Sequence, residues 1–408
     1  MALPDDVHAE LDRRLAPVDA ARLAAYPGER PGRQPVHTCY VPADGVVPGL
    51  ARAWGTAALE ALDAHGLPDL GLDPALVEQV LPRVRAKLAA EPVEDLRVDA
   101  EDGYRGTSEV EDRDVVSAAE AVLADRADGA APPSVGIRAK SLEEATRRRG
   151  VRSLDLFLGA LGAGGAERAV VTLPKVTDVE QVRALLPVLD ALERAHGVAI
   201  DLEIQVETPQ AVLGADGALT AARLVHAAGP RLTGLHYGTY DYSASLGIAA
   251  AHQSSDHPAA DLAKQFMQVA VAGTGVRAVD GSTNVLPVGP RDQVHAGWRL
   301  HAGLVRRALE RGFYQGWDLH PAQLPTRFAA TFGFYRDGLA AATSRLRTYV
   351  ERRDSGVLDE PATARALADF LLRGTDCGAL SQDEVTESTG LDVHRLARLA
   401  HRTRREGG

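Results

Sequence analysis

Eight short runs with strand character recur along the chain, and most intervals between them carry helical apolar spacing. That alternation restricts the possible folds more than any other feature. The runs are residues 36–43, 95–102, 134–140, 169–175, 201–208, 232–241, 275–281 and 313–321. Strands that alternate with helices form a parallel sheet, and eight such units close naturally into a (β/α)8 TIM barrel of the α/β class. Two intervals show the pattern. Ser141 with Glu144, and Thr177 with Glu180, have capping-box spacing at a helix start. Val182, Leu185, Leu186, Leu189 and Leu192 then keep one helical face, and Gly197 is placed to stop it. Pro187 inside that run predicts a kink or a restart.

The chain has 408 residues, longer than a minimal barrel. Residues 1–35 read as an N-terminal helical extension, 36–326 as the barrel and catalytic domain, and 327–408 as a C-terminal helical cap. The formal net charge of -11 argues against a general phosphate-binding surface, so nucleic acid is an unlikely partner. The stretch from Ser381 has a helix-turn-helix rhythm about Gly390, with basic residues after it. A non-catalytic barrel carrying that tail as an interaction module is the rival reading of another class. The favoured role for the tail is a cap that packs on a neighbouring subunit. Two distant cysteines, Cys39 and Cys377, form neither a disulfide framework nor a zinc cluster, which suits a reducing cytoplasm. The N-terminus lacks the basic start and apolar run of a signal peptide, and no stretch approaches ~18 uninterrupted apolar residues, so no membrane partner is expected.

Ionisable residues gather where the strand runs end. Glu101 and Asp102 follow the second, Arg138 and Lys140 the third, Lys175 the fourth, Glu207 the fifth, Asp241 the sixth, Asp280 the seventh and His320 the eighth. A barrel brings these ends to one mouth, where active sites of the fold sit. Charges held there are costly unless paired or bound to an ion. Glu207 and Asp241 lie on consecutive strands, and two carboxylates with open positions suit Mg²⁺ or Mn²⁺. The alternative for Glu207 is an ion pair with Arg138 or Lys175. Thr208-Pro209 restricts the backbone just where Glu207 must hold its direction. Asp280, in the turn sequence "DGSTN", reads as structural.

The segments "VDAEDGY", "LPKV", "VETPQAV", "YGTYDYSASLG", "VRAVDG" and "WDLHPAQL" occur in the order found in citrate lyase β-subunit-like enzymes. Over roughly residues 36–325 the chain resembles that aldolase/citrate lyase superfamily, which includes 2-oxo-acid aldolases, malyl-CoA lyases and, more distantly, malate synthases. The resemblance implies a homo-oligomeric barrel with Glu207 and Asp241 as Mg²⁺ ligands. It implies that Arg138 contacts a substrate carbonyl or carboxylate, and that Glu101 and Asp102 are the acidic pair after strand two. Lys175 matches the lysine of the citrate lyase branch, and Gln205 and His320 join Arg138 and Lys175 as expected substrate-binding residues. The family's opening arginine is missing from "HTCYVPAD" (His37 to Asp44), and Ser245 stands at the second acid of its strand-six motif. In the coenzyme A users that arginine helps hold the substrate, so its absence argues against a coenzyme A thioester; the expected substrate is a 2-oxo acid or an acyl-CoA-type compound. The expected chemistry is carbon–carbon cleavage through a metal-stabilised enolate. Malate-synthase-like condensation and thioester hydrolysis are alternatives, and Glu101, Asp102 and His236 are all candidates for the base.

Overall fold

Each expected run overlaps a strand in the computed structural model, which describes residues 5–165, 168–351 and 360–401. The strands are β1 (His37–Pro42), β2 (Asp95–Asp99), β3 (Ser134–Arg138), β4 (Arg168–Leu173), β5 (Ala199–Val206), β6 (Leu232–Tyr237), β7 (Arg277–Val279) and β8 (Gly316–Asp318). All the pairs are parallel, in the order β7-β6-β5-β4-β3-β2-β1-β8. The barrel is therefore closed except between β7 and β8, where Asp280 N–H to Gln315 C=O, at 2.9 Å, bridges the seam. These two strands have only three residues each, too short for a ladder across the gap.

Strand alternation here separates charge from oil. Leu96 and Val98 of β2, and Leu202, Ile204 and Val206 of β5, join the large apolar core beneath the helices. The intervening residues meet inside the barrel. Arg97 pairs with Asp95 and with Glu203, each at 2.8 Å, and Thr38 donates to Asp95 at 2.7 Å. Gly136 makes room for this layer, since a Cβ there would stand 2.0 Å from Arg97 Nη1. Barrel interiors are usually filled by branched aliphatic residues. This one is filled largely by polar groups, and Arg97 stays buried there because Asp95 and Glu203 oppose its charge.

Helix starts differ from expectation in two places. The helix before β4 begins at Arg147, because the Ser141 hydroxyl is engaged by Glu143 and Thr146 in a preceding turn, so no Ser141/Glu144 box forms. The next helix, Val179–His196, is capped one residue later than expected. Asp178 accepts from Glu180 N–H at 2.8 Å and the Gln181 side chain accepts from Asp178 N–H at 3.1 Å, while Gly197 ends the helix in a left-handed conformation. A carboxylate at 178 outcompetes the neighbouring threonine hydroxyl for the orphan donors. The helix runs through Pro187 as one element.

After β8 come helices Leu324–Glu351, Pro361–Asp376, Gln382–Thr389 and Val393–Leu399. The expected boundary at 326/327 falls in the first turn of the first of these, and Phe328, Leu371, Val385 and Leu396 belong to the same core as the barrel helices. Gly390 occupies the turn between the last two helices with φ 72°, and residues 402–408 lie outside the described residues. Among the described residues no helix is long and apolar enough to cross a membrane. Cys39 and Cys377 are both buried free thiols.

The C-terminal helices are pinned to the barrel by Asp318, which is fully buried. Its carboxylate meets His37 at 2.7 Å, Arg327 at 3.0 Å and His301 at 3.1 Å. Burial alone would raise its pKa, but Arg327, His301 and His37 hold it well below the usual carboxylate range. Burial lowers that of His301. Both depressed values act in one direction. The unfolded chain takes up these protons first, from about pH 6.5 for histidine and about pH 4 for aspartate, so stability is lost as pH falls. Asp318→Ala should cost about 3–5 kcal/mol in denaturant titrations at pH 7, because it leaves buried cations unpaired. Asp318→Asn should flatten the acid limb of stability below about pH 4; an unchanged limb would place the acid sensitivity elsewhere.

Candidate active site

The charged mouth is organised around Arg138, the last residue of β3. It stands opposite Asp99, the last residue of β2, in the strand register. Its Nε donates to Asp99 Oδ1 at 2.8 Å and its Nη2 to Oδ2 at 2.6 Å, a forked charge-assisted pair. The guanidinium lies over the Tyr40 ring at 4.8 Å and near Trp317 at 5.9 Å. Nη1 is the least committed nitrogen. It makes only a 3.3 Å bond to Gln205 and lies 3.9 Å from Glu101. Asp99 also accepts from the N–H groups of Glu101, at 3.0 Å, and Gly103, at 2.9 Å. That folds the Glu101-Asp102 loop over the pair.

Lys175 follows β4 with a left-handed backbone, φ 51°. A non-glycine residue adopts this at a cost of roughly 1–2 kcal/mol. The conformation points its N–H at Glu207 Oε1, 2.6 Å away. Its Nζ reaches Asp102 at 2.8 Å, Asp241 at 2.9 Å and Glu101 at 3.3 Å. Glu207, just past β5, is buried and also accepts from the Gln205 side chain. Thr208 caps the short helix that begins at Pro209, accepting from Ala211 N–H at 3.1 Å. Asp241 lies in the first turn of Thr239–Ser245, directly after β6. Gly238 permits that placement, since a Cβ there would be 2.4 Å from Glu207 Cβ.

Environment separates the carboxyls. Burial raises the Glu207 pKa to about 8, with Arg138 and Lys175 opposing and Asp241 and Glu101 adding to the rise. Burial likewise raises Glu101, to about 7. Asp102 is pulled below its ordinary value despite burial, through its bond to Lys175. The carboxylates around Lys175 outweigh burial and raise its pKa.

The structure thus brings Arg138, Lys175, Glu101, Asp102, Gln205, Glu207 and Asp241 into one bonded group. Four other candidates lie outside it. His236 accepts from Trp317 Nε1 at 2.9 Å and faces Glu203 at 3.2 Å. His320 caps the turn at Pro321, its Nδ1 accepting from Ala322 N–H at 3.1 Å. Asp280 pairs with Lys264 at 3.0 Å, and Lys140 pairs with Glu111 at 2.8 Å. Asp99, Tyr40, Trp317 and Gly238 escaped the sequence reading. The alternation Asp95, Arg97, Asp99 was the available signal for the first of these. Among the described residues no three His, Cys, Asp or Glu side chains form a preassembled metal cluster.

Fold and site together define a (β/α)8 barrel with an acid-rich, arginine-anchored mouth at the C-terminal ends of its strands. The chain belongs to the family described as Domain of unknown function (DUF6986), which matches residues 15–404. No curated protein matches it. In fold it is similar to a citrate lyase from Burkholderia xenovorans LB400, with TM-score 0.55 and 19% identity over 87% of this chain and 96% of that chain. It is also similar to the malate synthase of Haloferax volcanii, with TM-score 0.52 and 14% identity over 93% of this chain and 94% of that one. The magnesium/glyoxylate complex of that malate synthase gives TM-score 0.50 at 14% identity, over 91% and 98% of the two chains. These likenesses show the (β/α)8 fold that the strand order already gives.

Two outcomes check the packing and the charge state. Gly238→Ala should destabilise the fold by about 1–3 kcal/mol, since neither Glu207 nor the strand end can retreat. Glu101 and Glu207 have folded pKa values above their unfolded ones. Their contribution is therefore full below about pH 4.3 and is lost as pH rises toward 7 and 8. Glu207→Gln should shrink the loss of melting temperature between pH 6 and pH 8.5 in EDTA. An identical loss in both proteins would show that Glu207 ionises normally.

Proposed function

We propose that the protein is a Mg²⁺- or Mn²⁺-dependent carbon–carbon lyase of the aldolase type, acting on a 2-oxo acid. The observation that carries the reading is the buried Asp99–Arg138 fork, with Nη1 held only by a 3.3 Å bond to Gln205, set beside the acidic group of Glu207 and Asp241. The donor chemistry suits a small hard cation. A buried carboxylate whose pKa is pushed to about 8, with further carboxylates alongside, is a site short of positive charge. Glu207 and Asp241 would hold the ion, leaving other positions to water and substrate oxygens. Bound there, it supplies Lewis-acid polarisation of the substrate carbonyl.

The chain's own residues do the rest. Arg138 donates from Nη1 to a substrate carboxylate or carbonyl oxygen, and stabilises the negative charge that grows there as the carbon–carbon bond breaks. Asp99, Tyr40 and Trp317 hold the guanidinium in place. Glu101 takes up and returns the proton, since a pKa of about 7 lets it do both near neutrality. Asp102 is the poorer base because Lys175 keeps it ionised, and His236 is tied to Trp317 and Glu203. Lys175 takes a distal substrate carboxylate once its carboxylate partners engage a cation. The likeness in fold to a malate synthase solved with magnesium and glyoxylate supports a second reading, condensation of an acyl thioester with a 2-oxo acid at the same mouth.

A panel of 2-oxo acids, aldehydes and coenzyme A thioesters, assayed with Mg²⁺ and with EDTA, tests the class. Aldol cleavage that EDTA stops is the expected product pattern. Condensation of glyoxylate with acetyl-CoA would select the second reading, and thioester hydrolysis alone would defeat both. Glu207→Gln and Asp241→Asn should abolish metal-dependent turnover with the fold kept. Arg138→Lys should lose about 100-fold in kcat, for want of the second fork nitrogen. Turnover should rise through about pH 7 in the parent, and Glu101→Gln should lose that limb. Lys175→Met should tighten Mg²⁺ binding about tenfold by calorimetry, since a competing ammonium is gone; weaker binding would mean the lysine does not sit in the cation's place.

A further inference from the structure

His236 lies on β6 and is fully buried, and both of its ring nitrogens face protein groups. Nδ1 accepts from the Trp317 indole N–H at 2.9 Å. An indole nitrogen only donates, so Nδ1 holds no proton while that bond stands. A neutral ring then carries its proton on Nε2, which the partner at the other nitrogen decides. Nε2 lies 3.2 Å from Glu203 Oε2, an electrostatic contact rather than an aligned hydrogen bond. Glu203 is fixed in turn by Arg97 at 2.8 Å and by Thr172 at 3.2 Å. Gly234, on the same strand and the same side, leaves room for the ring. A Cβ there would stand 3.1 Å from His236 Nε2.

Trp317 depends on such a hold. It lies on β8, which has three residues and pairs with β1 but has no ladder to β7. The bond to His236 therefore spans the open seam, from β8 to β6. The indole packs against the Tyr40 ring with centroids 4.4 Å apart. The two rings form the face on which the Arg138 guanidinium rests, 4.8 Å from Tyr40 and 5.9 Å from Trp317. Asp99 holds that guanidinium along one edge only, at Nε and Nη2. A planar group gripped along one edge can still hinge about it, and the aromatic face limits that hinge. The direction of Nη1 is thus set by where the indole stands.

We propose that His236 is a positioning residue for Arg138: held as its Nε2–H tautomer, it fixes the indole that sets the direction of Nη1. The role rests on the reading of Arg138 as the group that meets the substrate. It replaces the base role that a histidine suggests, since one nitrogen accepts from Trp317 and the other faces Glu203.

The test follows the isotopically labelled full chain by nuclear magnetic resonance. Trp317→Phe assigns the indole N–H signal, Arg138→Lys the Arg138 Nε–H signal and His236→Asn the His236 ring nitrogens. The parent should show a bare Nδ1 and a protonated Nε2. His236→Asn offers an amide oxygen near the Nδ1 position and should leave the Arg138 signal close to its parental place. His236→Gln carries its amide out toward the Nε2 position, past the indole, and should move the Arg138 signal as Trp317→Phe does. Trp317→Phe decides the matter if His236→Gln does not fold. In turnover, kcat should fall about tenfold in both His236→Gln and Trp317→Phe, with His236→Asn recovering most of the loss. Combining the glutamine and phenylalanine changes should cost no more than either alone, because both break one link. A proton on Nδ1, or an Arg138 signal indifferent to Trp317→Phe, overturns the proposal. So does an asparagine variant as impaired as the glutamine one, which would return the imidazole to the role of base. A displaced Arg138 signal in a chain that turns over no substrate of the panel would instead defeat the catalytic reading and leave the His236–Trp317–Arg138 link standing.

Discussion

The interaction on which the mouth depends is the forked pair between Asp99 and Arg138, buried at the ends of two neighbouring strands. A guanidinium in that position without a counter-charge would be prohibitive. The same carboxylate, by accepting from the loop after β2, sets where Glu101 and Asp102 stand. The pattern continues down the barrel, where Arg97 is matched by Asp95 and Glu203. A lumen of paired charges gives up stability that an aliphatic core would supply. In return its uppermost layer, the Asp99–Arg138 pair, is both polar and buried.

Close backbone approaches set the rest of the site. A glycine at 238 lets the Asp241 helix start against Glu207, and a left-handed Lys175 turns its own amide toward the same carboxylate. One ammonium then serves three acids at once. Adjacent carboxyls end with divergent affinities, Glu101 near neutrality and Asp102 below its ordinary value. Such a split is how a site obtains a proton carrier and a fixed charge from two similar side chains.

Much of the fold was legible because period-two runs separated by helical spacing leave little choice of topology. The strand ends were legible too, and residues 101, 102, 138, 175, 205, 207 and 241 do meet. What was hidden depends on contacts between distant segments. Asp99 looked like an ordinary strand residue, because its meaning comes from the register that puts it opposite Arg138. Tyr40 and Trp317 are ordinary barrel aromatics until a guanidinium lies over them. His320 carried the right residue type at the right strand end, yet its ring caps a turn. The helix cap at Asp178 was misread by one residue because Thr177 and Asp178 both suit the position, and local sequence does not rank them. The Asp318 cluster joins β1, β8 and two helices, and no local pattern announces it.

We propose that Arg138 and the Glu207–Asp241 pair address one substrate together. A crystal of the full chain soaked with Mg²⁺ and pyruvate examines this directly. The expected result is an ion ligated by the Glu207 and Asp241 carboxylates, with a pyruvate oxygen within hydrogen-bond distance of Arg138 Nη1 and the Lys175 ammonium displaced. Pyruvate bound away from Arg138, or an ion held by other side chains while Lys175 keeps its three acid partners, would contradict it.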